Sequence, residues 1–286
     1  MAERLLERAR AQGAGRHDAA LEARFVQTDA FRASLRGDTG SMTELYAQAV
    51  LAYERAGLSR HACNARVSHG FGLMELGRFE EAAGRLHAAA QEAERLGLGN
   101  VRVAALTNLG WALARMGRWE EGANVEEEAS RALERYGDKR MEAASRTYAA
   151  AIAAERGDLE RAEREARRAV GLLERFPALR AYAFAMLAEV LRRRGSSEAL
   201  ARARDARASL EAHGAEEGEA FVRLVDAELA LAHGDTATAF AGMHGARARL
   251  LERASRISSP EARESFLTRV PEHARTLALA REWLGE

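Results

Sequence analysis

Glycine recurs along this chain at Gly37, Gly77, Gly117, Gly157, Gly195 and Gly234, at intervals of 40, 40, 40, 38 and 39 residues. A period of this length is the signature of a repeat architecture. Each unit must bury its apolar face against the next, so the product is a stack. The flanking residues say what is stacked. In Met-Glu-Leu-Gly77-Arg-Phe and Ala-Arg-Met-Gly117-Arg-Trp, the glycine separates two helix-forming stretches. There it supplies the left-handed backbone that ends one helix and turns the chain back. Seven residues before each turn stands a small residue: Ala30, Gly70, Gly110, Ala150, Ala188 and Ala227. On the second helix, Ala82 and Ala89, Gly122 and Ala129, Ala162 and Ala169, and Ala239 and Ala246 repeat at a spacing that holds one helical face. Phe79, Trp119 and Leu159 supply a large apolar residue just after three of the turns. Proline occurs only at positions 177, 260 and 271, and strong helix formers dominate the rest. The chain is expected to be all-α.

The period predicts six antiparallel helix pairs: 18–35 with 41–56, 61–76 with 79–96, 100–116 with 119–136, 140–156 with 159–175, 178–194 with 197–213, and 216–233 with 236–257. Three segments follow. Residues 1–17 form a partial repeat, with 2–11 as the second helix of a further pair; 18–257 form the six pairs; 258–286 form capping helices. Ser259-Pro260 and Val270-Pro271 mark two helix starts in the last segment.

The run from Thr107 to Gly122 resembles a tetratricopeptide repeat, with Leu109, Gly110, Leu113, Gly117, Trp119 and Gly122 in the places that pattern requires. Gly70, Leu73, Gly77, Phe79, Ala82 and Ala89 fill them one unit earlier. The resemblance is clearest over residues 61–170. His69 stands where leucine is usual, and the spacing shifts after Gly195. The usual period is about 34 residues, so about 40 implies longer helices. The resemblance implies a right-handed superhelical solenoid whose first helices line a concave groove. In such repeats the residue after the Leu-Gly position faces the groove, which here gives Phe31, Phe71, Trp111, Ala151, Glu189 and Glu228. Nearby turns add Gln27, Asn64, Val67, Met74 and Thr107, and Tyr182 and Arg192 join the more polar C-terminal half. The aromatics at 31, 71 and 111 either anchor a partner or fill the gap between neighbouring first helices. Residues 264–280 are similar to the tail of large bacterial regulators in which helical repeats follow a serine/threonine kinase or nucleotide-binding ATPase.

Catalytic and ligand motifs are missing from the linear sequence. There is no Gly-x-x-x-x-Gly-Lys-Ser/Thr, and Gly70-Phe71-Gly72 lies inside a helical stretch with no preceding strand. The eight histidines are scattered without metal-ligand spacing, and Cys63 has no histidine one helical turn away. The Glu126-Glu127-Glu128 run reads as a solvated flank. Forty-three basic and forty-three acidic residues cancel, and the cluster around Arg192, Arg193 and Arg194 lacks interleaved aromatics, which argues against nucleic acid. No apolar run is long enough for a membrane span, and the first residues carry no apolar leader core. The expected protein is a cytoplasmic, non-catalytic interaction scaffold without cofactor or metal. Its partner is a peptide or helix held in the concave groove. The alternative is a regulatory sensor arm of a bacterial kinase or ATPase regulator, sensing a small molecule.

Overall fold

A computed structural model describes residues 18–285, which form fourteen helices. They are α1 (Ala19–Leu35), α2 (Thr39–Arg55), α3 (Ser59–Glu75), α4 (Phe79–Arg95), α5 (Gly99–Arg115), α6 (Trp119–Tyr136), α7 (Lys139–Glu155), α8 (Leu159–Leu172), α9 (Pro177–Arg193), α10 (Ala199–His213), α11 (Glu219–Ala232), α12 (Thr236–Ser255), α13 (Pro260–Thr268) and α14 (Pro271–Leu284). The first twelve make six antiparallel pairs whose bounds follow the period closely. The expected helix at 2–11 lies outside the described residues. At the sixth pair, the first helix starts at Glu219 rather than 216, because Gly218 precedes it in a left-handed conformation (φ +71°).

Helix starts follow local chemistry. Asp18, Asp38, Asp138, Asp158 and Asp235 each accept a bond from a first-turn backbone N–H, and Ser259 does so for α13. The turns hold a second glycine series that the 40-residue period passes over. Gly57, Gly97 and Gly137 also have positive φ, and they join the second helix of one pair to the first helix of the next. The chain therefore reverses every twenty residues through residue 157.

The small residues seven before each turn sit at helix crossings. Ala30, Ala150, Ala188 and Ala227 are fully buried. At the third crossing a Cβ on Gly122 would stand 2.7 Å from the Gly110 carbonyl oxygen and 3.2 Å from the Ala114 nitrogen. Both neighbours are backbone and cannot rotate away. Gly122→Ala is therefore expected to force α5 and α6 apart and cost about 1–3 kcal/mol, read from a urea melt.

One crossing position departs from the pattern. Leu86 packs on Gly70, and forty residues later Glu126 lies on Gly110 in the same way. Glu126 is buried, with one carboxylate oxygen bonded by the Ser145 hydroxyl and the other without a partner. Burial raises its pKa well above the ordinary value of 4.5, partly opposed by the Ser145 bond. The folded chain thus keeps a proton that the unfolded chain releases, so stability falls as pH rises from 4.5 upward. Glu126→Leu, which copies the preceding unit, is expected to stabilise the protein by about 1–3 kcal/mol at neutral pH. The gain should grow between pH 4.5 and pH 8 in parallel melts; a pH-independent gain would show that the native carboxyl is not held protonated.

Neighbouring first helices pack against each other from α3 to α11, forming an inner wall with the second helices outside. The turn of this wall is closed by the chain itself. After α12, the polypeptide crosses to the first two pairs. Arg253 donates to the Thr39 hydroxyl at 3.0 Å and faces Glu75 at 3.7 Å, Arg256 donates to the Arg36 carbonyl at 2.7 Å, and Ser258 reaches Glu44 at 3.2 Å. Beneath these bonds, Leu76 shares a core with Leu250, Ala254, Ile257, Ala262 and Phe266. Val270 joins the core of the second and third pairs. Farther along α14, Leu279, Trp283 and Leu284 pack on Leu224, Ala227 and Met243 of the sixth pair, and the Trp283 ring stacks on Phe240. The C-terminal segment thus bridges the sixth pair to the first pairs and joins the two ends of the solenoid.

Candidate functional site

The ring encloses a narrow axial channel. From the wall come Phe71, Met74 and Glu75 of α3, Phe79 of α4, Trp111 and Arg115 of α5, Tyr148 of α7 and Tyr182 of α9. From the closing side come Glu217 to Ala220, Arg253, Val270, Glu272 and His273. The inner wall follows from the repeat. Positions forty apart face the same way, and side chains one turn further along the helix extend the same stripe. Trp111 and Tyr148 stack almost parallel at 5.0 Å between centroids, and Tyr182 meets Phe221 edge-on at 5.7 Å. Gly218 has no side chain where a Cβ would collide with the Tyr182 ring, which lets the loop before α11 close over that residue.

Charge in the channel is arranged around Arg115. Its guanidinium lies 4.9 Å from the Trp111 ring centre and 5.7 Å from that of Phe79, and it pairs with Glu272 at the start of α14. For Glu272, burial pushes the pKa up, but Arg115 and the neighbouring His273 outweigh it, and the carboxyl stays below 4.5. At Glu217 the charge of Arg140, which pairs with the adjacent Glu216, does not offset burial. Burial raises the Glu217 pKa to about 7 despite the 2.6 Å bond from the Tyr148 hydroxyl. Burial likewise holds Glu75 above the ordinary carboxylate value, against the pull of Arg253. His273 packs on Phe266 at 4.2 Å and donates Nδ1–H to the Phe266 carbonyl at 2.7 Å. Burial lowers its pKa to about 4, so it is neutral at physiological pH. The remaining void is about 30 Å³, room for water but not for a side chain of a guest.

Of the thirteen residues expected along the groove, Phe71, Met74, Trp111 and Tyr182 line the channel. The others lie elsewhere. Val67 and Thr107 are buried, because their side of the first helix faces the helix core rather than the axis. Gln27 accepts a bond from the Tyr53 hydroxyl in the first pair. Phe31 is 56 % exposed and Asn64 is exposed, both away from the channel lining. Glu189 is clamped by Arg192 and Arg193, and Glu228 by Arg275 of α14. Ala151 belongs to the core of the fourth and fifth pairs. The two alternatives for the aromatic column meet in Trp111, which bridges neighbouring first helices and also borders the void. Sequence reasoning passed over Glu75 and Arg115, although both lie one turn beyond the Phe71 and Trp111 column. Arg253, Glu272 and His273 carried no local signal, since only the closing segment brings them in, and Glu217 enters from the loop before α11.

No protein-family model matches the chain, and no curated protein matches its sequence. Solved structures do match it in shape. A Rap protein complexed with competence and sporulation factor shares 15% identity at a TM-score of 0.71, over 98% of this chain and 81% of that one. The Rap conjugation gene regulator of plasmid pLS20, in complex with the Phr* peptide, shares 14% at 0.69, covering 95% and 77%. TPR-like repeats of a kinesin light chain from Podosopora anserina share 18% at 0.51, covering 68% and 97%. The fold is that of a tetratricopeptide-type helical repeat protein. Identities this low carry the architecture alone. Among the described residues, no helix of this TPR-type chain is long and apolar enough to cross a membrane.

Proposed function

We propose that this protein is a non-catalytic scaffold that binds a peptide in its axial channel. The observation that carries the reading is the channel wall. Phe71, Trp111, Tyr148 and Tyr182 come from four successive repeats and face one axis, and Arg115 is already seated on two of the rings. Aromatic and arginine side chains in this setting are the usual anchors of peptide recognition. The wall comes from rigid helices rather than loops, so little ordering is needed on binding. Two of the structurally similar proteins were solved with a factor or peptide bound, which supports the same use of the fold here. A void of about 30 Å³ cannot hold a peptide, so binding requires the closing segment to yield.

The test uses fluorescence. Tryptophan occurs at positions 111, 119 and 283 only, so replacing Trp119 and Trp283 with phenylalanine leaves Trp111 as the reporter. Peptides that enter the channel should shift its emission and raise the melting temperature with concentration. If short peptide pools leave both unchanged while a metabolite panel moves them, the ligand is a small molecule and the peptide reading fails.

A further inference from the structure

The salt bridge that closes the channel points to the chemistry of what opens it. Resting on the peptide reading above, we infer that the ligand carries a carboxylate which replaces Glu272 on Arg115. Arg115 belongs to the repeat wall, and its position is set by Trp111 and Phe79. Glu272 belongs to the closing segment, 157 residues later in the chain. The pair therefore joins a fixed guanidinium to a carboxylate carried by the part that must give way. Both side chains are largely enclosed, at 15% and 14% exposure.

A guest that displaces Glu272 and brings no anion strands a buried guanidinium, which is strongly unfavourable. A guest that brings a carboxylate restores a charge-assisted pair in the same place. No other channel group serves as a substitute. Glu75 faces Arg253 at 3.7 Å, Glu219 is held by Arg223 and Arg249, and Glu217 is tied to the Tyr148 hydroxyl. His273 is neutral, with Nδ1 committed to the Phe266 carbonyl. With Glu272 removed, the cations on the axis are Arg115 and Arg253, and Arg253 already has Glu75. One positive charge is left to satisfy, which fits one carboxylate, from an Asp or Glu side chain or from a peptide C-terminus. Burial favours the protonated form of Glu217, which reduces its repulsion toward an incoming carboxylate. Glu272 thus acts as a built-in competitor that excludes neutral and basic peptides.

The experiment passes two pools of random pentapeptides over the immobilised full chain and identifies what is retained by mass spectrometry. One pool has free C-termini and all residue types. The other is amidated and lacks Asp and Glu. The wild-type protein should retain the first pool and not the second. Glu272→Gln should raise retention of the first by about tenfold, the change expected from loss of roughly 1.4 kcal/mol of competition. The double variant Arg115→Gln with Glu272→Gln, which removes both charges so that neither is left stranded, should erase the preference between pools while still giving a cooperative thermal melt. Equal retention of both pools overturns the carboxylate inference and leaves peptide binding standing. Unchanged retention by Glu272→Gln, or an unchanged preference in the double variant, overturns it as well. Retention of neither pool by any of the three proteins removes the peptide reading and the inference together.

Discussion

Deleting residues 258–286 should lower the melting temperature more than any single core truncation in this protein. The deletion removes Phe266 and Val270, which are buried, and the packed ring of Trp283. It also uncovers Leu76, Leu250 and Ile257 on one side of the seam and Leu224 and Met243 on the other. Three large side chains at ~1.5–3 kcal/mol each give a loss of about 5–9 kcal/mol. For a chain of this length each kcal/mol moves the midpoint by roughly 2–4 °C, so a drop of at least about 10 °C is expected in a calorimetric scan. The transition should broaden as well, since a solenoid that has lost its closing segment keeps only neighbour-to-neighbour coupling. A midpoint within about 2 °C of wild type would mean that the segment docks without stabilising the ring.

Breaking the central ion pair should have the next largest effect. Arg115→Met keeps most of the apolar stem over Trp111 and Phe79 but leaves Glu272 enclosed and unpaired. Removing one partner of a buried pair costs about 3–5 kcal/mol. The pH dependence identifies the cause. In the wild-type protein Glu272 is held below 4.5, so its contribution is present above 4.5 and is lost as pH falls through the lower folded value. His273, lowered from 6.5 to about 4, adds a loss over that interval, because the unfolded chain takes up a proton the folded one refuses. In Arg115→Met the stranded carboxyl escapes its penalty by taking up a proton. The gap between variant and wild type should therefore narrow from pH 7 to pH 4 in urea melts. A constant gap would assign the loss to packing around the rings.

The helix pairs were legible because their signal is local and repeated. A turn glycine such as Gly117, with Gly110 before it and Gly122 after it, fixes two helices and their crossing within about a dozen residues. The channel was legible only where it is made of repeats. Trp111 and Phe71 could be found from the column, and Arg115 and Glu75 would have followed from extending it one turn. Val67 and Thr107, one turn before that column, are buried in the helix packing and do not border the channel. Glu272 and His273 could not be found this way. Nothing in Pro271-Glu272-His273 differs from an ordinary first turn, and their role depends on a closure that spans the whole ring. Within the sequence, Glu126 looks like one acid of a solvated run. Only its forty-residue correspondence with Leu86 marks it as an interior position.

The seam between the sixth pair and the first two also changes how a disturbance travels. In an open array a perturbation decays with each interface it crosses, so distant units behave almost independently. Here there are two routes between any two units, one along the stack and one across the seam at Arg253, Arg256 and Phe266. Loosening α12 should therefore be felt in α1 and α2 before it is felt in α6. Amide protons on the first pair should exchange faster when residues more than two hundred positions away are altered, as in Arg256→Ala, whose guanidinium bonds the Arg36 carbonyl. A signal arriving at one point on such a hoop reaches the opposite side from both directions.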